Sequence, residues 1–227
     1  FFGSECDGAF AEYTTVAARH AYAINSPLSD IELASFPCSY STAENMLTRA
    51  DVKPGDRVLI TGASGGVGSA AVQLAIARNA EVIAVTSLAK SDSLLKLGAH
   101  QTVNRNDDLV ETLGENSVDV VLDLVAGPKW PGLLDVLRPH GRYAVAGAVA
   151  GPIVELDVRT LYLKDLSFFG CTALDTQVFG NLVNLIETGK IKPLVAATFD
   201  LEDITTAQEV FADKGYTGKI VLKVARP

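Results

Sequence analysis

Apolar runs of strand length alternate with helical stretches through the middle of the chain. From Arg57 onward, each run is followed by a segment whose apolar residues recur at helical spacing, as at Val67, Ala71 and Leu74. This alternation predicts repeated strand–helix units. The predicted strands are Arg57–Gly62, Glu81–Ser87, Gln101–Asn104, Val118–Val125, Arg142–Val149 and Leu166–Cys171, and the predicted helices are centred on Val72, Leu95, Val110 and Leu134.

Some of these strands are almost continuously apolar, which is typical of strands that are covered on both faces. Val82-Ile83-Ala84-Val85 is one such run, and Val118–Leu122 is interrupted only by Asp119. Helices on both faces and right-handed crossovers then give a doubly wound parallel α/β sheet. We expect its ligand crevice at the carboxyl ends of the strands.

The segments on either side of this unit do not follow the repeating pattern. Two spacings, Ser29-x-x-Glu32 and Ser41-x-x-Glu44, predict helix starts before it, and Gly8–Tyr13 is strand-like. Beyond it the pattern predicts a helix over Thr176–Thr188, then the segment Leu194–Leu201, a helix over Ile204–Asp213 and a closing strand over Lys219–Val224.

We therefore predict a second lobe to which both chain ends contribute. The expected boundaries are 1–40 for its first part, 41–172 for the strand–helix unit and 173–227 for the return. The chain begins Phe1-Phe2-Gly3, directly before the strand-like segment, so we expect it to be a piece of something longer.

Composition narrows the function classes. With 227 residues, 48% of them hydrophobic, the chain can bury a substantial core. Its net charge of −8 argues against a general nucleic-acid or anionic-membrane surface. The partner that we expect is a small-molecule substrate. Three cysteines without a C-x-x-C spacing favour a reducing, cytoplasmic compartment, and no apolar run approaches the roughly 20 residues that span a bilayer.

The stretch from Thr61 to Gly68 is the most informative motif. It follows an apolar strand, opens a helix, and has the form Ala63-x-Gly65-x-x-Gly68. This is the dinucleotide fingerprint with alanine in the first glycine position, in which free helix amides attract a diphosphate. A tight strand–helix turn without a ligand is the alternative. The predicted contacts are Ala63, Ser64, Gly65, Gly66, Val67 and Gly68.

The end of the second predicted strand bears on which nicotinamide dinucleotide is bound. An acidic residue there normally bonds the adenosine ribose and repels a 2′-phosphate. No carboxylate occupies this end, whereas Ser87 and Lys90 can bond a phosphate and Arg105 can reach the same corner. The pattern favours NADP over NAD. The alternative is that Lys90 and Arg105 are solvated surface charges.

The order of motifs resembles the medium-chain dehydrogenase/reductase superfamily, specifically its quinone-oxidoreductase-like and zinc-binding alcohol dehydrogenase branches. The resemblance extends over essentially the whole chain. It is carried by Gly8–Tyr13, Val52–Asp56, Thr61–Gly68 with Ala70–Ala75, Leu97–Ala99, Leu137–Arg142 and Gly218–Leu222.

The resemblance implies a GroES-like catalytic lobe, part of which is absent here, beside a nucleotide-binding Rossmann domain. Cys38 matches one zinc ligand of the zinc-dependent relatives, whose other two ligands come from the absent part, so zinc binding and an inert, buried cysteine both stay open. Relatives also imply a homodimer, with an edge near Leu166–Phe169. By matching motif, Thr42, Val125, Ala148 and Val149 would lie near the nicotinamide and Lys219 near the pyrophosphate.

The leading hypothesis is an NADP(H)-dependent oxidoreductase that transfers hydride between nicotinamide and a carbonyl, quinone or enone. A zinc-dependent alcohol dehydrogenase that uses Cys38 is one alternative. A cofactor-binding fragment without turnover is another, from a different class. No histidine lies in a pattern that indicates a general base.

Overall fold

The computed structural model describes residues 2–213 and 215–224, so Phe1, Lys214 and residues 225–227 lie outside the described part. It contains a six-stranded parallel sheet in the order β3-β2-β1-β4-β5-β6, which confirms the doubly wound Rossmann prediction. The strands are β1 (Arg57–Ile60), β2 (Glu81–Thr86), β3 (Gln101–Asn104), β4 (Val118–Asp123), β5 (Leu137–Val145) and β6 (Ser167–Gly170).

Helices cover both faces of this sheet, and a small second sheet follows. The helices are α1 (Asp30–Ala34), α2 (Ser39–Arg49), α3 (Gly66–Ala77), α4 (Ser91–Lys96), α5 (Leu109–Leu113), α6 (Trp130–Val136), α7 (Val158–Leu163), α8 (Thr176–Glu187) and α9 (Ile204–Asp213). Strands β7 (Val195–Asp200) and β8 (Lys219–Lys223) pair in parallel. Among the described residues, no helix has the length and apolar character needed to cross a bilayer.

Alternate residues of each central strand pack into two separate cores. Val58 and Ile60 of β1 join the core formed with α2 and α3, whereas Leu59 joins the core formed with α6. This is the period-two geometry of a strand that is buried on both faces. Because neither face of β1 meets solvent, the glycine-containing turn at its end starts from a fixed position.

Five of the six predicted strands of this sheet extend too far at their carboxyl ends, whereas the prediction Gln101–Asn104 is confirmed. Strand β1 ends at Ile60, and β5 runs over Leu137–Val145 where Arg142–Val149 was predicted. The apolar residues just beyond β5 continue the strand pattern, but they form an irregular loop in which Val149 is 88% exposed. At the carboxyl edge of the sheet, an apolar run therefore includes loop residues as well as strand residues, and it does not mark where the strand ends.

Three local predictions fail or were missing. Gly8–Tyr13 is not a strand, because no neighbouring strand pairs with it among the described residues. Helix α7 was not predicted. The Ser41–Glu44 capping box is wrong, because α2 begins at Ser39 and Glu44 instead pairs with Arg78 at 2.7 Å.

The Ser29–Glu32 capping box is confirmed, with both reciprocal hydrogen bonds present at the start of α1. The return segment is bound to the Rossmann unit by buried polar groups. Tyr40 Oη on α2 donates to the Lys192 carbonyl at 2.8 Å, and Gln73 Oε1 on α3 accepts from the Lys192 amide at 2.8 Å. The boundaries at residues 40 and 172 stay a prediction.

Candidate coenzyme site

The turn between β1 and α3 is built around a very close approach of backbone to backbone. A Cβ on Gly68 would lie 2.3 Å from the Gly62 carbonyl oxygen and 2.6 Å from Ala63 Cα. Gly62 itself has φ +59°, the left-handed region that favours glycine. The glycines therefore let α3 begin directly over the end of β1, as the fingerprint predicts.

The start of α3 is open to a ligand. Gly65 precedes the helix, is exposed and supplies no side-chain cap, so the first amides of α3 receive no hydrogen bond from a capping side chain. Lys219 Nζ on β8 donates to Ser39 Oγ at 2.9 Å, and a Cβ on Gly66 would lie 2.8 Å from that Oγ. An ammonium group and a hydroxyl group thus lie beside a helix N-terminus, a combination suited to a diphosphate.

The same turn contacts the ends of both neighbouring strands. The Ala63 amide donates to the Val85 carbonyl of β2 at 3.2 Å. On the other side, a Cβ on Gly62 would lie 3.2 Å from Val125 Cγ2, just beyond β4. The turn therefore lies at the carboxyl end of β1, between the ends of β2 and β4. Open α/β sheets bind their ligands at this point of the strand order.

The residues predicted to distinguish NADP from NAD lie beyond the carboxyl end of β2, in a region called here the β2 corner. The Arg105 amide donates to the Thr86 carbonyl at 2.7 Å, so the loop after β3 adjoins the end of β2. Ser87 and Lys90 are half-buried and Arg105 is exposed. Lys90 Nζ donates to the Tyr216 carbonyl at 2.9 Å, which connects this corner to the return segment. The three predicted residues belong to neighbouring segments.

Thr86, which the sequence reasoning did not single out, also lies at this corner. Its hydroxyl is buried without a hydrogen-bond partner among the described residues. An orphaned buried hydroxyl at the end of a strand is a polar group that a ligand can satisfy. The only sequence signal was a threonine that interrupts an apolar strand at its carboxyl end.

The residues predicted to lie near the nicotinamide are, apart from Thr42, in the two loops that follow β4 and β5. Val125 is half-buried, and its carbonyl accepts from the Ala150 amide at 2.9 Å, which brings the segments after β4 and β5 together. Ala148 and Val149 are exposed in the second of these segments. Thr42 is half-buried on α2, one turn after Ser39.

A buried hydrogen-bonded network underlies this side, and the sequence reasoning missed it. Thr61 Oγ1 donates to Asp123 Oδ1 at 2.6 Å, and Tyr143 Oη donates to Asp123 Oδ2 at 2.6 Å. Trp130 Nε1 donates to Tyr143 Oη at 2.8 Å. Burial raises the pKa of Tyr143, and the neighbouring Asp123 charge raises it further. The available signal was an acidic residue that ends an apolar strand.

A zinc site is not formed by the described residues. Among them, no group of three or more His, Cys, Asp or Glu side chains is placed to hold a metal ion. Cys38 precedes α2 with φ +66° and is exposed, so the interpretation of an inert, buried cysteine is wrong for this position. Cys171 is buried, and that burial raises the pKa of its thiol.

Comparison with known proteins agrees with this geometry. Residues 66–188, more than half of the chain, match the family described as zinc-binding dehydrogenase. Acryloyl-coenzyme A reductase of Metallosphaera sedula is 31% identical over 97% of this chain and 67% of its own length. Human quinone oxidoreductase is 29% identical over 98% of this chain and 71% of its own length.

A solved structure is similar over nearly the whole chain. It is a provisionally assigned alcohol dehydrogenase from Sinorhizobium meliloti, with a TM-score of 0.90 and 46% identity over 96% of this chain and 62% of that protein. The chain thus spans 62% to 71% of the length of these proteins.

The sheet order and the glycine turn define a Rossmann-type nucleotide-binding unit. The chain belongs to the zinc-binding dehydrogenase family of the medium-chain dehydrogenase/reductase superfamily, whose members are oxidoreductases.

Proposed function

We propose that this chain supplies the coenzyme-binding part of an NADP(H)-dependent oxidoreductase acting on a carbonyl, quinone or activated alkene. The observation that carries the proposal is the open N-terminus of α3, beside which Lys219 Nζ and Ser39 Oγ form a cationic, hydrogen-bonding wall. A diphosphate matches this arrangement in charge and in hydrogen-bonding capacity.

The residues divide the work of holding the coenzyme. Gly65, Gly66 and the first amides of α3 bind the diphosphate, and Lys219 balances its charge. Val125 presents apolar surface against the turn, and Val149 lies in the exposed loop after β5; we assign both to the nicotinamide end of the coenzyme. When bound, the nicotinamide supplies or accepts the hydride.

The preference for NADP rests on charge at the β2 corner. Residues 86–90 contain no carboxylate, and Lys90 and Arg105 project from segments that adjoin there. Thr86 and Ser87 add hydroxyl groups at the same strand end. A 2′-phosphate gains charge-assisted hydrogen bonds from such a set, whereas a bare ribose hydroxyl gains much less.

The substrate class follows from two named relatives. One is named for an acryloyl thioester and the other for a quinone. Both groups are electron-poor unsaturated systems that can be reduced by a net transfer of hydride and a proton. We propose an acceptor of this kind, with a small-molecule substrate bound against the catalytic lobe.

A zinc-dependent alcohol dehydrogenase is the second candidate. The exposed Cys38 thiol and the name of the matching family favour it. Metal analysis of the full-length protein, with and without Cys38→Ala, separates the two candidates. Zinc that is lost with the thiol supports a metal-dependent enzyme, and zinc content that does not change removes Cys38 from the ligand set.

Titration of the chain with NADPH and NADH tests the coenzyme assignment. We expect NADPH to bind roughly tenfold or more tightly than NADH, the discrimination that one charge-assisted contact provides. Binding of neither coenzyme refutes the assignment. Coenzyme binding without reduction of quinone, enone or aldehyde, in a chain whose longer parent is active, identifies a binding module without turnover.

The same proposal includes a homodimer formed through the β6 edge, where Phe168 is 37% exposed, and a cytoplasmic location. No nucleic-acid or membrane partner is proposed, in keeping with the net charge of −8. Sedimentation of the chain tests the oligomeric part.

A further inference from the structure

Asp123 is a fully buried carboxylate surrounded by neutral donors. Its exposed fraction is 0%, and among the described residues its hydrogen-bond donors are the hydroxyls of Thr61 and Tyr143 and the amides of Val125 and Ala126. A buried charge is costly unless its acceptor positions are filled. Its position at the end of β4 therefore calls for an explanation beyond packing.

The carboxylate and the Thr61 hydroxyl together bind three successive backbone amides. The Leu124 amide donates to Thr61 Oγ1 at 2.9 Å, and the Val125 amide donates to Asp123 Oδ1 at 2.9 Å. The Ala126 amide lies 3.1 Å and 3.2 Å from the two carboxylate oxygens. Ala126 has φ +53°, a left-handed conformation that a non-glycine residue keeps only when its surroundings hold it.

The segment bound in this way is the wall of the glycine turn. Val125 Cγ2 lies 3.2 Å from the position that a Cβ on Gly62 would take, and Thr61 directly precedes Gly62. Asp123 thus connects the end of β1 to the segment after β4. These two strands are neighbours at the switch point of the sheet.

We propose that Asp123 is a positioning residue that holds Thr61–Gly62 and Leu124–Ala126 as one preformed unit, against which the nicotinamide half of the coenzyme binds. The inference rests on the proposed function. It extends that function by assigning the shape of the site to a carboxylate that does not itself contact the coenzyme. Tyr143 and Trp130 support the carboxylate from the opposite side.

The test is Asp123→Asn, with Asp119→Asn as the matched control. Asp119 is on the same strand at its other end, where it pairs with Arg138 at 2.9 Å and accepts the Arg57 amide. An asparagine at 123 turns one acceptor into a donor that faces Tyr143 Oη and the Ala126 amide. We expect coenzyme affinity to fall about ten- to a hundredfold, the effect of losing hydrogen bonds to a charged group, while Asp119→Asn leaves it within about twofold.

Amide hydrogen exchange gives a second measurement, because it separates local opening of one segment from a change in global stability. In Asp123→Asn without coenzyme, the exchange rates of residues 124–126 should rise selectively. The exchange rates within β4 itself should equal those of the Asp119→Asn control. Thr61→Val, which keeps the carboxylate, should release the Leu124 amide alone. This variant keeps the test decisive should Asp123→Asn not fold.

The outcomes separate the two proposals. An unchanged chain that binds neither coenzyme overturns the proposed function and the positioning role with it. An unchanged chain that binds coenzyme, with Asp123→Asn binding equally well or with residues 124–126 fully protected, overturns the positioning role alone. Equal losses of affinity in Asp123→Asn and Asp119→Asn assign Asp123 to general stability and also overturn it.

Discussion

The carboxyl edge of the sheet is built differently on the two sides of the glycine turn. Toward β4 and β5, Thr61, Asp123 and Tyr143 are buried and hydrogen-bonded to one another. Toward β2 and β3, Lys90 and Arg105 are half-buried or exposed charges on long side chains. One side is defined by fixed geometry and the other by electrostatic charge.

This difference suits two distinct tasks. A reacting ring must be held to within a fraction of an ångström, which calls for rotamers locked by buried partners. Recognition of a phosphate needs positive charge more than it needs rigid placement. We therefore expect the β4 side to be sensitive to changes of shape, and the β2 side to be sensitive to changes of charge and salt.

The largest expected effect is on the turn that both sides share. Gly68→Ala places a methyl group 2.3 Å from the Gly62 carbonyl oxygen, so α3 must move away from β1. We expect a loss of about 3 kcal/mol or more of unfolding free energy, the upper range for overpacking, together with loss of coenzyme binding. Urea denaturation measures the first and coenzyme titration the second.

Gly180→Ala is its control. Gly180 lies within α8, and a Cβ there meets nothing within 4 Å. The substitution should stabilise the chain by roughly 0.5–1 kcal/mol, because alanine is the better helix former. Similar effects of the two substitutions would contradict the close approach assigned to Gly68.

Lys90→Ala sharpens the comparison on the charged side. We expect NADPH affinity to fall about ten- to a hundredfold, the value of a charge-assisted hydrogen bond, with NADH affinity nearly unchanged. Parallel titrations with both coenzymes measure the difference. Lys96→Ala, at the other end of α4, is the control and should affect neither coenzyme. Equal losses for NADPH and NADH would remove Lys90 from 2′-phosphate recognition.

Alkaline pH tests the buried side. The pKa values of Tyr143 and Tyr40 are raised, chiefly by burial, whereas unfolded tyrosines titrate near 10. Above that pH the unfolded chain releases protons that the folded chain retains. The unfolding free energy should thus fall by about 1.4 kcal/mol per pH unit for each such tyrosine, and be fully retained below pH about 9.

Denaturation across pH 9 to 12 measures this slope. Tyr143→Phe should reduce the pH slope of the unfolding free energy by the contribution of one tyrosine, about 1.4 kcal/mol per pH unit. Tyr162→Phe, at an exposed position, should leave this slope unchanged. A slope that does not respond to Tyr143→Phe would show that this hydroxyl ionises as readily in the folded chain as in the unfolded one.

Salt should give the smallest effect. Charges near solvent are screened within about 3 Å at 1 M ionic strength, compared with about 30 Å at 0.01 M. We expect the preference for NADPH over NADH to shrink a few-fold across this range, because salt screens the 2′-phosphate contacts in addition to the diphosphate contacts that both coenzymes share. A preference that is independent of salt would indicate that the β2 corner is buried when the coenzyme is bound.

The fold and the glycine turn were predictable because their signals are local. Strand β1, the fingerprint and α3 are consecutive, and the Ser29–Glu32 cap spans a single turn. Each depends on contacts between residues that are close in sequence, where spacing determines geometry.

The rest of the site depends on contacts that spacing does not reveal. Tyr143 reaches Asp123 across 20 residues, and only the β4–β5 register places them together. The carboxyl ends of the strands were overextended because the loop residues beyond them, such as Val149, are apolar and still exposed. Glu44 matches a capping pattern, but its partner Arg78 directly follows α3, far along the chain.

The contact between Lys219 and Ser39 means that the proposed diphosphate site is completed late in synthesis of the chain. The two residues are 180 positions apart, so at about 5–20 residues per second the ribosome makes the lysine some 9–36 s after the serine. Throughout that interval the nascent glycine turn has its helix amides but not its ammonium. During translation the proposed diphosphate site is therefore complete only after β8 has emerged from the ribosome.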